Sequence, residues 1–262
     1  MNIKAAFFDV DGTLFSHKTN SIPQSTKLAF QEMKKNNILP FVATGRHILE
    51  LNRLPVNELE FEGYVTSNGQ IGLDHDQNII FDHPIDPEDT KVLVEEFRNK
   101  SLPLNFVEDD KIYINYINQD VDITLKRILS PLPDIGEYDG RKIYQCMTYG
   151  DGTAAHKLMD RLPHCRLTQW NPLGFDIVPK DGSKKDGSKI VGIRKMLKLY
   201  GLTEDEIISF GDGDNDLEML ENSGIGVAMG NGIDELKEIA NYVTDDIEED
   251  GIYNALKHYE VI

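Results

Sequence analysis

The sequence has no apolar run near the about 18 residues a membrane-spanning helix requires, and so nothing in it reads as a transmembrane segment. Its opening, MNIKAAFFDV, has one lysine and then meets an aspartate. It lacks the apolar stretch and cleavage site of a secretory signal, which predicts a cytoplasmic protein. Cysteine is scarce: Cys146 and Cys165 fall in unrelated contexts and are expected to be reduced thiols rather than a disulfide framework. There is no internal repeat and no low-complexity tract; the nearest is a Lys/Asp/Gly/Ser stretch at 180–188, which reads as a linker. Positive charge is also in short supply, with 27 Lys and Arg against 45 Asp and Glu, a net charge of −18. Such a surface repels nucleic-acid backbones and anionic lipid, which argues against both as partners. The seven histidines are scattered without metal-ligand spacing and receive no role.

What remains is an ordinary globular composition: 262 residues, 40% hydrophobic and 27% charged, enough for one or two domains. The first third alternates strand-like and helix-like stretches. An apolar strand at 3–8 precedes a helix from Ser25 with Leu28, Ala29 and Met33 on one face, a strand at 39–43, a helix at 47–54 and a strand at 64–66. The last third resumes the rhythm: Ile190, Ile193 and Leu197 at helical spacing with Gly201 as C-cap, strands at 207–210 and 226–228, and a helix face at 217–220. This alternation predicts an α/β fold with a parallel, Rossmann-like sheet. Between them the order changes to helix 89–100, strands 104–107 and 111–117, helix 120–129, strand 142–146, helix 153–161, and strands 165–169 and 175–178. Adjacent strands on short links predict an inserted α+β domain at 83–182, within a core made of 1–82 and 183–262.

Three strand ends carry chemistry. The first strand runs into Asp9-Val10-Asp11-Gly12-Thr13, two carboxylates one residue apart. Ligands of open α/β sheets bind at such carboxyl ends, and adjacent carboxylates need a compensating cation or a shared proton. A hard divalent ion, magnesium, suits them. The strand at 207–210 ends in Gly211-Asp212-Gly213-Asp214-Asn215-Asp216, more acidic and amide groups than a helix cap requires. The strand at 39–43 ends in Thr44-Gly45-Arg46, where a hydroxyl, a freed N–H and a guanidinium suit a phosphoryl group. A phosphate ester would be repelled by the overall charge, so any site for it needs local rescue by a metal, a few cations and backbone N–H groups.

Together, Asp9-x-Asp11-Gly12-Thr13, Thr44, a downstream lysine and Gly211-Asp212-x-x-Asn215-Asp216 resemble the four motifs of the haloacid dehalogenase superfamily. The insertion resembles the type IIB cap of its Cof-type sugar-phosphatase subfamily, as do the stretches 226–231, 240–244 and 250–252. The resemblance implies that Asp9 is the nucleophile and Asp11 the acid/base. It implies that Asp9, the main-chain carbonyl of Asp11 and Asp212 hold Mg²⁺. Thr44, the N–H groups of Val10 and Gly45, Asn215 and a lysine would bind the phosphoryl oxygens, with Asp216 orienting its neighbours. Gly213 supplies no further side-chain ligand. Lys184 and Lys189 both follow a serine. The family lysine opens the helix that ends in a turn resembling Tyr200-Gly201-Leu202, which favours Lys189. Arg46 from the core, and Trp170, Asn171, Phe175 and Asp176 from the cap, are candidate substrate contacts. The implied activity is hydrolysis of small phosphorylated metabolites, sugar phosphates foremost; a monomer is the default expectation. Alternatives are a phosphomutase-like phosphoryl transferase, a phosphatase of a nucleotide or cofactor such as FMN or pyridoxal phosphate, and a receiver-like module in which the aspartyl-phosphate is the signal.

Overall fold

Ala5, Ala6, Phe7 and Phe8 leave nothing polar on either face of a strand, and the chain buries all four as β1 (Ala5–Phe8). The structure, a computed structural model, describes residues 2–127, 130–182 and 188–262. Next come α1 (Gln24–Lys35), β2 (Leu39–Ala43), the one-turn α2 (Ile48–Leu51), β3 (Gly63–Thr66), β4 (Ile71–Asp74) and β5 (Ile79–Asp82). The following stretch contains α3 (Pro87–Asn99), β6 (Leu104–Val107), β7 (Ile112–Ile114), α4 (Gln119–Arg127), β8 (Asp134–Ile135), β9 (Gln145–Tyr149), α5 (Thr153–Met159), β10 (Cys165–Asn171) and β11 (Gly174–Pro179). The chain finishes with α6 (Lys189–Tyr200), β12 (Ile207–Gly211), α7 (Leu217–Glu221), β13 (Ile225–Ala228), α8 (Asp234–Ile239), β14 (Tyr242–Val243) and α9 (Gly251–His258).

Contacts divide the chain into two units, Met1–Asp82 with Ser188–Ile262, and His83–Gly187. The boundary read from sequence at 182/183 adjoins residues 183–187, which lie outside the described residues, as does Lys184. In the first unit the strands run in the order β14-β13-β12-β1-β2-β3-β4-β5. They are parallel from β14 to β3. Cross-strand aromatic pairs pin the register of the centre: Phe7 stacks on Phe41 of β2 with centroids 4.8 Å apart, and Phe8 on Phe210 of β12 at 5.0 Å. A one-residue slip would put each ring on the wrong face. The three strands that precede the sequence motifs are therefore side by side with their ends aligned, and the strand order reverses at β1.

Several local expectations are corrected. The sheet is not wholly parallel, because β4 and β5 form antiparallel pairs beyond β3. In α1 the buried stripe is Thr26, Ala29, Phe30 and Met33, the i, i+3, i+4, i+7 spacing, and Leu28 falls off it at 44% exposure. The helix expected over 47–54 is a single turn, with the His47 ring accepting the Leu49 N–H at 3.3 Å. Pro55 then opens a separate turn.

The inserted unit is an α+β layer with strand order β10-β11-β9-β6-β7-β8. It is antiparallel except between β7 and β8. Its core packs Leu93 and Phe97 of α3 against Phe106, Ile143, Leu158 and Ile177, with Phe97 stacked on Phe106 at 4.3 Å. The strand expected at 142–146 begins later, at Gln145, although Ile143 and Tyr144 are already buried. The end of the helix expected at 120–129 lies outside the described residues. Cys146 and Cys165 do not sit in unrelated surroundings: both are free thiols buried in this one core.

Candidate active site

The three aligned strand ends bring their motifs to one place. Asp9 continues β1, with its N–H on the Phe210 carbonyl of β12 at 2.9 Å. The Val10 carbonyl then accepts the N–H groups of Leu14 and Phe15 at 3.0 and 2.7 Å, curling the chain. Carboxylate oxygens of Asp9, Asp212 and Asp216 lie within 4.8 Å of one another. Asp216 is fully buried and accepts the N–H groups of Asp212 and Gly213, both at 3.0 Å, which fixes the loop after β12. Thr13 Oγ1 donates to Asp212 Oδ1 at 3.1 Å. Gly12 has φ +77°, and a Cβ there would strike the Asp212 carboxylate, so glycine suits both the backbone conformation and the close approach of the first and last motifs.

Among the described residues, the cation that enters the acidic cluster is a lysine. Lys189, the first residue of α6, is fully buried; its Nζ contacts Asp9 Oδ1 and lies 2.6 Å from Asp216 Oδ1. Burial alone would discharge this ammonium, but Asp216 and Asp9 outweigh it and hold its pKa above the ordinary lysine value. Burial pushes Asp9 well above the usual carboxylate range; Lys189 opposes this, while Asp216 and Asp212 add to it. Asp212 is raised to about 6, by burial first and then by Asp216. Carboxylates crowded until their charge becomes costly are a donor set that fits a hard divalent cation.

Asp11 has the opposite surroundings. Arg46 grips its carboxylate in bidentate fashion, Nε at 2.6 Å and Nη2 at 2.7 Å, and His17 Nε2 adds a contact at 2.7 Å. Burial pushes the carboxyl up, but Arg46, with His17, outweighs it and leaves the group below its ordinary value. Thr44 is buried, and its hydroxyl accepts the Arg46 N–H at 3.1 Å, tightening the turn around Gly45. Asn215 reaches from the β12 loop to the Asn68 side chain, Nδ2 to Oδ1 at 3.3 Å.

Asp9, Val10, Asp11, Thr44, Gly45, Arg46, Lys189, Asp212, Asn215 and Asp216 thus all belong to one unit and one end of its sheet. Trp170, Asn171 and Asp176 belong to the other unit, on the β10–β11 hairpin. There Trp170 Nε1 donates to Asp176 Oδ1 at 2.9 Å, its ring meets Tyr149 edge-on, and Asn171 Oδ1 accepts the Leu173 N–H at 3.1 Å. Phe175, on the same hairpin, is buried. Sequence reading missed His17 and Asn68. The histidine carries no local signal, but Asn68 has one: Ser67-Asn68-Gly69 is a polar run immediately after a strand, as in the other motifs.

The family model for haloacid dehalogenase-like hydrolases matches residues 6–256. Over 262 residues the chain is 32% identical to "Putative phosphatase YkrA" of Bacillus subtilis (strain 168), covering 98% of each. Among solved structures, it is similar to the phosphatase BT1666 from Bacteroides thetaiotaomicron, at 30% identity and TM-score 0.86 over 99% of this chain and 96% of that one. The subclass IIB sugar phosphatase BT4131 aligns at 32% identity and TM-score 0.79, over 99% of this chain and all of the other. With the fold, the motif order and the family match in agreement, this chain belongs to the haloacid dehalogenase-like hydrolases, as a Cof-type enzyme of the phosphatase kind.

Proposed function

We propose that this protein is a Mg²⁺-dependent phosphomonoesterase of small phosphorylated metabolites, sugar phosphates foremost, working through an aspartyl-phosphate on Asp9. The observation that carries this is the clustering of Asp9, Asp212 and Asp216, with buried Lys189 on Asp9 and Asp216, at the point where strand order reverses. Asp9, Asp212 and the main-chain carbonyl of Asp11 are the residues suited to hold the ion, which when bound supplies positive charge to the phosphoryl oxygens. Asp216 keeps the Asp212 loop and Lys189 in place. Sugar phosphates are favoured because the subclass IIB relative is named a sugar phosphatase. We place the protein in the cytoplasm, as a monomer; no helix among the described residues is long and apolar enough to cross a membrane.

The chemistry divides between the two N-terminal aspartates. An Asp9 carboxylate oxygen attacks phosphorus and the ester oxygen departs, taking a proton from Asp11. Asp11 then removes a proton from water as that water attacks the phosphoaspartate, releasing phosphate and regenerating Asp9. Asp11 held by Arg46 and His17 is an anion, the form that the second half-reaction uses. Its role as acid requires it to leave that grip. Thr44, the N–H groups of Val10 and Gly45, Asn215 and Lys189 hold the phosphoryl oxygens. Substrate selection falls to the inserted unit, where Trp170, Asn171 and Asp176 share one hairpin.

Hydrolysis of p-nitrophenyl phosphate with Mg²⁺ tests this. Asp9→Asn is expected to abolish turnover with the fold retained, and chelation to silence the wild type. Activity surviving in Asp9→Asn refutes the assignment. A phosphoenzyme that persists for minutes points instead to a receiver-like module.

A further inference from the structure

Ser67 and Asn68 are consecutive non-glycine residues in the left-handed region, with φ +50° and +52°. Side chains rarely adopt this conformation, and runs of it are costly for L-residues. Among the described residues, the Ser67 hydroxyl is moreover buried without a hydrogen-bond partner. Such strain persists only where the surroundings over-determine it, and it concentrates at functional sites.

The surroundings here are the phosphate-binding elements themselves. The Ser67 N–H donates to the Arg46 carbonyl and the Asn68 N–H to the Thr44 carbonyl, both at 3.0 Å, so the loop after β3 is laced to the Thr44–Arg46 turn after β2. The Asn68 amide lies over Gly45 so closely that a Cβ on Gly45 would meet Asn68 Oδ1 at 3.0 Å. The same Oδ1 accepts Asn215 Nδ2 at 3.3 Å. The next residue, Gly69, lies against the Ser188 carbonyl at the start of the Lys189 helix. A single strained loop thus touches the three segments that carry Gly45, Asn215 and Lys189.

We propose that Asn68 is a positioning residue for phosphoryl binding, whose amide sets the spacing between the Gly45 turn and Asn215. The proposal rests on the phosphatase reading above. The left-handed backbone belongs to the loop, and the amide is what Asn68 contributes to the site. A misplacement near 1 Å of groups that grip a transferring phosphoryl costs on the order of a hundredfold in rate.

Asn68→Gly separates backbone from amide, because glycine tolerates the conformation and lacks the side chain. With p-nitrophenyl phosphate and Mg²⁺, kcat/KM is expected to fall by about tenfold or more, while Tm stays level or rises as strain is relieved. Asn68→Asp keeps an acceptor for Asn215 but sets a negative charge beside the substrate, so its KM is expected to exceed that of Asn68→Gly. Wild-type kcat/KM in Asn68→Gly, or a loss matched by a fall in Tm, overturns the proposal. Inorganic phosphate with Mg²⁺ gives a readout independent of turnover: it should raise the Tm of the wild type more than that of Asn68→Gly. Equal protection, or none in either, also overturns it. Wild-type turnover that is lost in Asp9→Asn keeps the phosphatase reading standing when Asn68 fails.

Discussion

The buried ammonium of Lys189 lies 2.6 Å from the carboxylate of Asp216, and both side chains are wholly shielded from solvent. The same ammonium contacts Asp9, 180 positions away in the chain. Removing one partner of a buried ion pair leaves its counterpart desolvated and uncompensated, at a cost of about 3–5 kcal/mol. Lys189→Met is therefore expected to lose stability on that scale in urea titration and to lose turnover. Lys189→Arg should recover neither fully, because a planar fork does not fit a socket shaped for an ammonium. A stable, active Lys189→Met would show that the cation is dispensable.

Asp11 is predicted to matter differently for different leaving groups. A nitrophenolate departs without being protonated, whereas a sugar alkoxide needs the acid. In Asp11→Asn, p-nitrophenyl phosphate should release a burst of nitrophenol close to one equivalent per active site, then turn over slowly for want of a base. An alkyl phosphate should give no burst. Rapid-mixing absorbance resolves the two, and steady turnover without a burst would argue against a covalent intermediate.

Metal-free stability should depend on pH through Asp212. Its folded-state pKa is raised to about 6 from the ordinary aspartate value of 3.8, so between those values the folded protein binds the proton that the unfolded chain has released. The stabilisation is full below the unfolded value and is lost as pH rises through the folded one. In chelator, Tm should fall from about pH 4 to pH 6. Asp212→Asn should flatten that fall, and Mg²⁺ should oppose it by binding the folded carboxylates. A metal-free Tm that rises over this interval identically in wild type and Asp212→Asn would contradict the assignment.

The two cysteines should be inert in the folded protein. Burial pushes both thiols up, reinforced by Asp176 at Cys146 and by Asp89 at Cys165. Since the thiolate is the reactive form, a disulfide-exchange reagent at neutral pH should label neither until denaturant is added, and then both. Prompt labelling of the native protein would show that the core opens.

The sequence and the tertiary structure account for different parts of this molecule. Strand ends that run into Asp9, Thr44 and Asp212 were legible, because apolar runs and the polar turns that stop them are local patterns. So was the change to an α+β order in the middle of the chain. The β4–β5 hairpin was not legible: Gly72 interrupts one short strand, and the exposed Ile79 and Ile80 of the other give no alternation to read. The shared core of Cys146 and Cys165 was likewise invisible, since it depends on which strands become neighbours.

By itself the sequence determined the chemical groups at each strand end and, through the motif order, the family. Only the tertiary structure decided their partners. It set Arg46 and His17 on Asp11, Lys189 between Asp9 and Asp216, and Asn68 between Gly45 and Asn215. Those contacts depend on strand register and on which loops end side by side, and register is fixed by rings such as Phe8 and Phe210 packing across strands about 200 residues apart in the chain. A side chain's charge state follows from its neighbours, so two aspartates one residue apart in sequence come to hold their protons differently.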